Sequence, residues 1–164
     1  LGGKAHPQDI EGKRAIAYLH EHMRSLADAL PVVFLPNYDL RIARLMVAGL
    51  DVWINTPQPP LEASGTSGMK AALNGVPNLS ILDGWWLEGH IEGITGWSIG
   101  NGDLESTPDH DAASLYDKLE NVVLPLYQDR EGWTEIMKGA IARNGSVFHS
   151  HRMMRRYSAE AYLS

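Results

Sequence analysis

Short apolar runs that alternate with segments of helical spacing constrain this chain most. Val32 to Leu35, Asp51 to Ile54 and Asn78 to Leu82 read as brief, buried strands, and Leu1 to Gly3 as the tail of another. Between them lie helical stretches. Glu11 to Leu30 repeats Ile16, Leu19, Met23, Leu26, Ala27 and Leu30 at steps of one helical turn and stops at Pro31. Leu40 to Ala48 follows the turn Asn37-Tyr38-Asp39, which supplies an N-cap, and ends at Gly49. Ser67 to Leu73 forms a third helix, closed by Asn74-Gly75. Strands interleaved with helices in this way fold as an open α/β sheet, mostly parallel, with helices on both faces. The Gly-rich, polar stretch from Glu88 to Pro108 reads as a long loop. Helices over Asp111 to Leu126, Glu131 to Asn144 and Ser150 to Tyr162 complete one domain over 1–164, with the segment from about 111 as its C-terminal helices.

Open sheets of this class bind ligands at the carboxyl ends of their strands. The loops expected there carry Lys4 and His6, Asn37 and Tyr38, Glu62 to Gly68, and Asp83 to Trp86, so all four could face one cleft. Composition narrows the ligand. A net charge of −6 argues against a protein that grips nucleic-acid phosphates. The absence of cysteine removes disulfides and thiolate metal sites. No apolar run approaches the length of a membrane span, so no membrane partner is expected. The pairs His20/His22 and His149/His151 lie two residues apart, a spacing that does not share a helix face, and no metal site is expected. The opening LGGKAHP lacks a methionine and is read as the inside of a longer protein.

One segment carries chemistry. Glu62 to Gly75 reads EASGTSGMKAALNG and sets a carboxylate, a turn of small residues and Lys70 at the start of a helix. The first N–H groups of a helix lack intrahelical partners and face the positive end of its dipole, which suits an anion. Gly65 lets the backbone approach a phosphate closely, and the Thr66 hydroxyl adds a donor. Lys70, one turn further, brings an amine within reach of whatever carries that phosphate. The competing readings are a plain N-cap with a glycine turn and an ordinary solvated lysine.

The segments GGKAHP, FLPNYD, EASGTSGMKAALNG, NLSILDGWWLEG and TGWSIG, in this order, resemble the C-terminal part of the α-glucan phosphorylases. GTSGMK and LDGWW look like that family's short bacterial and archaeal branch. The resemblance implies a partial C-terminal, Rossmann-like domain of the GT-B architecture, a fold of two such domains facing a cleft. It implies pyridoxal 5′-phosphate as cofactor, held as a Schiff base on Lys70, with Thr66 and Gly65 at its phosphate and Tyr38 near its ring. Glu62, Ser64 and Gly65 would contact the sugar; a carboxylate accepts hydrogen bonds from vicinal hydroxyls and favours a developing oxocarbenium charge. The implied reaction is reversible, retaining phosphorolysis of an α-1,4-glucan by inorganic phosphate to α-D-glucose 1-phosphate, in the cytoplasm.

Two other readings stay open: a GT-B glycosyltransferase using a nucleotide sugar, and a non-catalytic carbohydrate-binding module. Retaining nucleotide-sugar enzymes often carry Glu-x7-Glu, the second glutamate holding the ribose. Here Glu62 is followed at that spacing by Lys70, which suits pyridoxal phosphate and removes the ribose acceptor. The resemblance also implies that basic residues and a whole N-terminal domain precede this piece in its parent. The isolated chain is therefore expected to be inactive and to bind the cofactor weakly or not at all. Lys4, His6, Asp83, Trp85 and Trp86 receive no assigned role; the two tryptophans could line the cleft or pack in a core.

Overall fold

The computed structural model describes residues 1–59, 64–102 and 106–163. The chain divides into two compact units, Leu1–Met46 and Val47–Ser164. In the first, β1 (Gly2–Gly3) pairs in parallel with β2 (Leu35–Pro36), Gly2 opposite Leu35. The paired part of the second strand lies later than the expected Val32 to Leu35, where Leu35 and Pro36 face Gly2 and Gly3, and Pro36 has no N–H to extend the ladder. Between the strands runs α1 (Ile10–Leu26), capped by Asp9, whose carboxylate accepts from the Gly12 N–H at 2.8 Å. It ends before Leu30, unwinding through turns ahead of Pro31. Asn37, in the left-handed region at φ 55°, turns the chain into α2 (Leu40–Gly49). The Asp39 carboxylate caps that helix, accepting from the Ile42 N–H at 2.9 Å.

The second unit holds a three-stranded parallel sheet of β3 (Trp53–Asn55), β4 (Asn78–Ile81) and β5 (Gly96–Ile99), in that order. Helix α3 (Ser67–Leu73) connects β3 to β4, and a short α4 (Trp86–Gly89) lies between β4 and β5. The sequence reading has neither: β5 lies inside the stretch Glu88 to Pro108 that reads as a loop, and α4 begins two residues before it. The glycine that makes the segment look like a loop is what the sheet requires. Gly96 sits opposite Asn78 at φ 145°, and a Cβ there would overlap the Asn78 carbonyl. Thr95, fully buried, fixes the approach to β5: its hydroxyl donates to the Gly89 carbonyl at 2.9 Å and accepts from the Ile91 N–H at 2.8 Å.

The strand alternation gives the sheet two covered faces. Leu79 and Ile81 with Trp97 and Ile99 pack on Val123, Trp133 and Ile136, and the Trp97 and Trp133 rings stack at 5.9 Å. Asn78 and Ser80 point to the opposite face, where α3 lies. A second cluster joins Ala72 of α3 to Trp85, Trp86 and Ala140, with Met69, Leu82 and Phe148 against it. The helices that close the unit are α5 (Pro108–Lys118), α6 (Leu124–Gln128), α7 (Arg130–Gly139) and α8 (Ser150–Tyr157). The expected helix from Asp111 to Leu126 is interrupted by a π-helical turn at Leu119–Val123. Pro125 supplies no N–H, so the carbonyl one turn earlier has no α-helical partner and the ladder shifts. A second π-helical stretch, Ala140–Gly145, follows α7 where Gly139 passes so close to Ile94 that a side chain would strike its carbonyl.

Candidate functional site

The loops after β3 and β4 meet at the carboxyl end of the sheet, and their meeting point is the turn before Lys70. Thr66 is the N-cap of α3, and its side chain makes no capping hydrogen bond, so its hydroxyl has no partner among the described residues. Gly65 turns the chain at φ 68°, a backbone conformation that favours glycine. The first helical bond runs from the Lys70 N–H to the Thr66 carbonyl at 3.2 Å, which leaves the intervening N–H groups without helical partners. Lys70 is exposed, and its amine forms no hydrogen bond or ion pair among the described residues. This chain alone therefore supplies an accessible amine and does not desolvate it.

The turn is held by the loop after β4. The Trp85 N–H donates to the Ser64 carbonyl at 3.1 Å, and Gly84, at φ 52°, lies against the Ser64 backbone. Asp83 accepts the Gly84 N–H at 2.8 Å through one carboxylate oxygen; the other is buried and has no partner among the described residues. Asn78, at the start of β4, donates its side-chain amide to the Gly68 carbonyl at 3.1 Å. Trp85 and Trp86 line no cleft: they are 6% and 1% exposed and form the core under α3. The value of this pair to the site was legible only as two bulky residues after a strand.

Of the residues singled out in the sequence, Ser64, Gly65, Thr66 and Lys70 stand together in this turn. Glu62 lies outside the described residues. Tyr38 belongs to the first unit, where it is half-buried, donates its N–H to the Gly3 carbonyl at 3.2 Å and lays its ring against Gly2. Lys4 and His6 follow β1 in the same unit and are exposed; the His6 ring accepts from the Gln8 N–H at 3.2 Å. His149 acts as the N-cap of α8, accepting from the Arg152 N–H at 3.2 Å. Sequence reasoning passed over Asn78. Its signal was a polar residue opening an otherwise apolar strand.

A polar cluster lies away from this turn. Glu92 binds Lys118, accepts from the Ser98 N–H at 3.0 Å and meets the His90 ring at 2.8 Å. Burial pushes the Glu92 carboxyl up, but the bonds from Lys118, Ser98 and His90 outweigh it and hold the group below its usual range.

Fold and turn together define a Rossmann-like α/β unit of the GT-B kind. The crystal structure of Anabaena HepE in complex with UDP-glucose shares this fold, with a TM-score of 0.72 over 97% of this chain and 39% of that one, at 19% identity. Residues 1–92 match the family model of the carbohydrate phosphorylases, and the chain belongs to that family. It is 47% identical to the maltodextrin phosphorylase of Thermococcus litoralis, over 99% of this chain and 20% of that protein. It is 45% identical to the glycogen phosphorylase of Aquifex aeolicus and 40% identical to that of Mycobacterium tuberculosis, again over 99% of its length. The chain spans 20–24% of the length of these curated relatives.

Proposed function

We propose that this chain is the cofactor-bearing part of an α-glucan phosphorylase. The whole protein would cleave α-1,4-glucans with inorganic phosphate in the cytoplasm, releasing α-D-glucose 1-phosphate with retained configuration. The observation that carries the reading is Lys70: an exposed amine with no partner among the described residues, one helical turn from a threonine hydroxyl that makes no capping bond, in a chain of the phosphorylase family.

The donor set fits pyridoxal 5′-phosphate. Gly65 and Thr66 offer backbone N–H groups and a hydroxyl for a phosphate, and the Lys70 amine is a nucleophile for an aldehyde. When bound, the cofactor supplies a phosphate that gives a proton to, and takes it from, the substrate phosphate. The residues of this chain orient it. Thr66 and Gly65 would receive its phosphate, and Lys70 would tether its other end. By the family resemblance, Glu62, Ser64 and Gly65 would hold the sugar. Taken alone the 164 residues carry a net charge of −6 and leave Lys70 exposed, so we expect them to bind the cofactor weakly and to make no glucose 1-phosphate.

Borohydride reduction of the full-length protein with pyridoxal phosphate, followed by peptide mapping, tests the proposal. The expected result is a single stable adduct on Lys70 that Lys70→Arg abolishes. An unlabelled Lys70, or binding of a nucleotide sugar without cofactor, would overturn it. Glucan binding that survives Lys70→Ala, with no turnover in the parent, would point to a carbohydrate-binding module.

A further inference from the structure

We infer that Asn78, Gly84 and Trp85 are positioning residues for the Lys70 turn, holding it at two points so that Thr66 and Lys70 keep a fixed mutual direction. The inference rests on the cofactor role proposed for Lys70. The first point is Ser64. Its carbonyl accepts the Trp85 N–H at 3.1 Å, and a Cβ on Gly84 would stand 2.7 Å from its Cα. The second point is Gly68. Its carbonyl accepts the Asn78 amide at 3.1 Å, and a Cβ on it would come within 2.5 Å of Asn78 Oδ1 and 3.0 Å of the Trp85 indole.

Both holders are themselves anchored. Asn78 is paired to Trp53 on one side of β4 and to Gly96 on the other. The Trp85 ring is pressed against Gly89 and meets Phe148 edge-on at 5.1 Å. Gly84 is kept in its turn by the Asp83 carboxylate. The three residues between the two points, Gly65, Thr66 and Ser67, thus inherit the rigidity of the sheet. A cofactor bound at two ends needs that rigidity, because a shift of about 1 Å in a reacting group can cost about a hundredfold in rate.

A filler role and a positioning role differ in what damage they predict. Gly84→Ala forces the first point apart. Asn78→Asp replaces the donor at the second with an acceptor facing a carbonyl. Trp97→Phe, in the core cluster on the other face of the sheet, removes ring volume and touches neither point. In the cofactor-free full-length protein we expect Gly84→Ala and Asn78→Asp to weaken pyridoxal phosphate binding about tenfold or more. Both should also speed amide exchange in a 64–70 peptide. Trp97→Phe should lower the thermal midpoint while leaving cofactor affinity within about twofold.

Affinity losses that follow the thermal midpoints across all three variants would overturn the inference, as would wild-type affinity and exchange in Gly84→Ala and Asn78→Asp. Asn78→Asp tests the second point even if Gly84→Ala does not fold. Should the wild-type protein take up no pyridoxal phosphate, the cofactor reading fails by itself, and the exchange pattern alone decides whether the turn is held this way.

Discussion

Gly96 stands opposite Asn78 in the ladder between β4 and β5, so close that any Cβ on it would overlap the Asn78 carbonyl. The same asparagine reaches back with its side chain to the Gly68 carbonyl at 3.1 Å. One residue therefore joins the centre of the sheet to the helix that carries Lys70, and its backbone tolerates only glycine beside it.

Gly96→Ala should cost about 3 kcal/mol, since it combines a positive φ with a backbone overlap at the start of a buried ladder. Urea unfolding measures the loss. A cost near that of a surface substitution would mean that β5 does not pair as described.

Truncating the other face of the sheet should be as damaging by a different route. Trp97 is 1% exposed and stacks on Trp133, so Trp97→Ala leaves a cavity and should destabilise by about 3–5 kcal/mol. The tryptophan fluorescence of the remaining residues, followed through unfolding, reports it.

Lys70→Ala should leave stability within about 0.5 kcal/mol, because the side chain is exposed and without a partner among the described residues. The same substitution in the full-length protein should abolish covalent retention of pyridoxal phosphate and with it phosphorolysis. Calorimetry and cofactor absorbance read the two halves. A large loss of stability would assign Lys70 a structural place instead.

Glu92 makes a pH-dependent contribution of defined sign. Its folded-state carboxyl lies below the ordinary value of 4.5, so the stabilisation is present above that pH and fades as pH falls through the folded value. Glu92→Gln should therefore weaken the fold at pH 7, and the gap to the wild type should close as pH falls from about 4.5 through the lower folded value. The difference at pH 7 should be about 1 kcal/mol or less, since the Glu92 side chain is 45% exposed and solvent screens the bonds. Thermal midpoints from pH 7 down to pH 3 follow it; a constant gap would remove the ionic account.

The helices and the signature turn were legible in the sequence because their causes are local. The N-caps at Asp9 and Asp39, the apolar spacing of Glu11 to Leu30 and the small residues before Lys70 act within one or two helical turns of themselves. The candidate chemistry came from the same local set, since an amine and a hydroxyl one turn apart need no distant partner to be noticed. Only the tertiary structure decided what depends on residues far apart in the chain. It set the register of β2, with Leu35 opposite Gly2, and it made a strand of a Gly-rich stretch because β4 offers an edge that only glycine can approach. It also moved Trp85 and Trp86 from a possible cleft lining into the core and gave Asn78 and Gly84 their hold on the turn. Pairing partners and close backbone contacts are long-range relations, and a sequence records them only as an unexplained glycine or a polar residue at the head of an apolar strand.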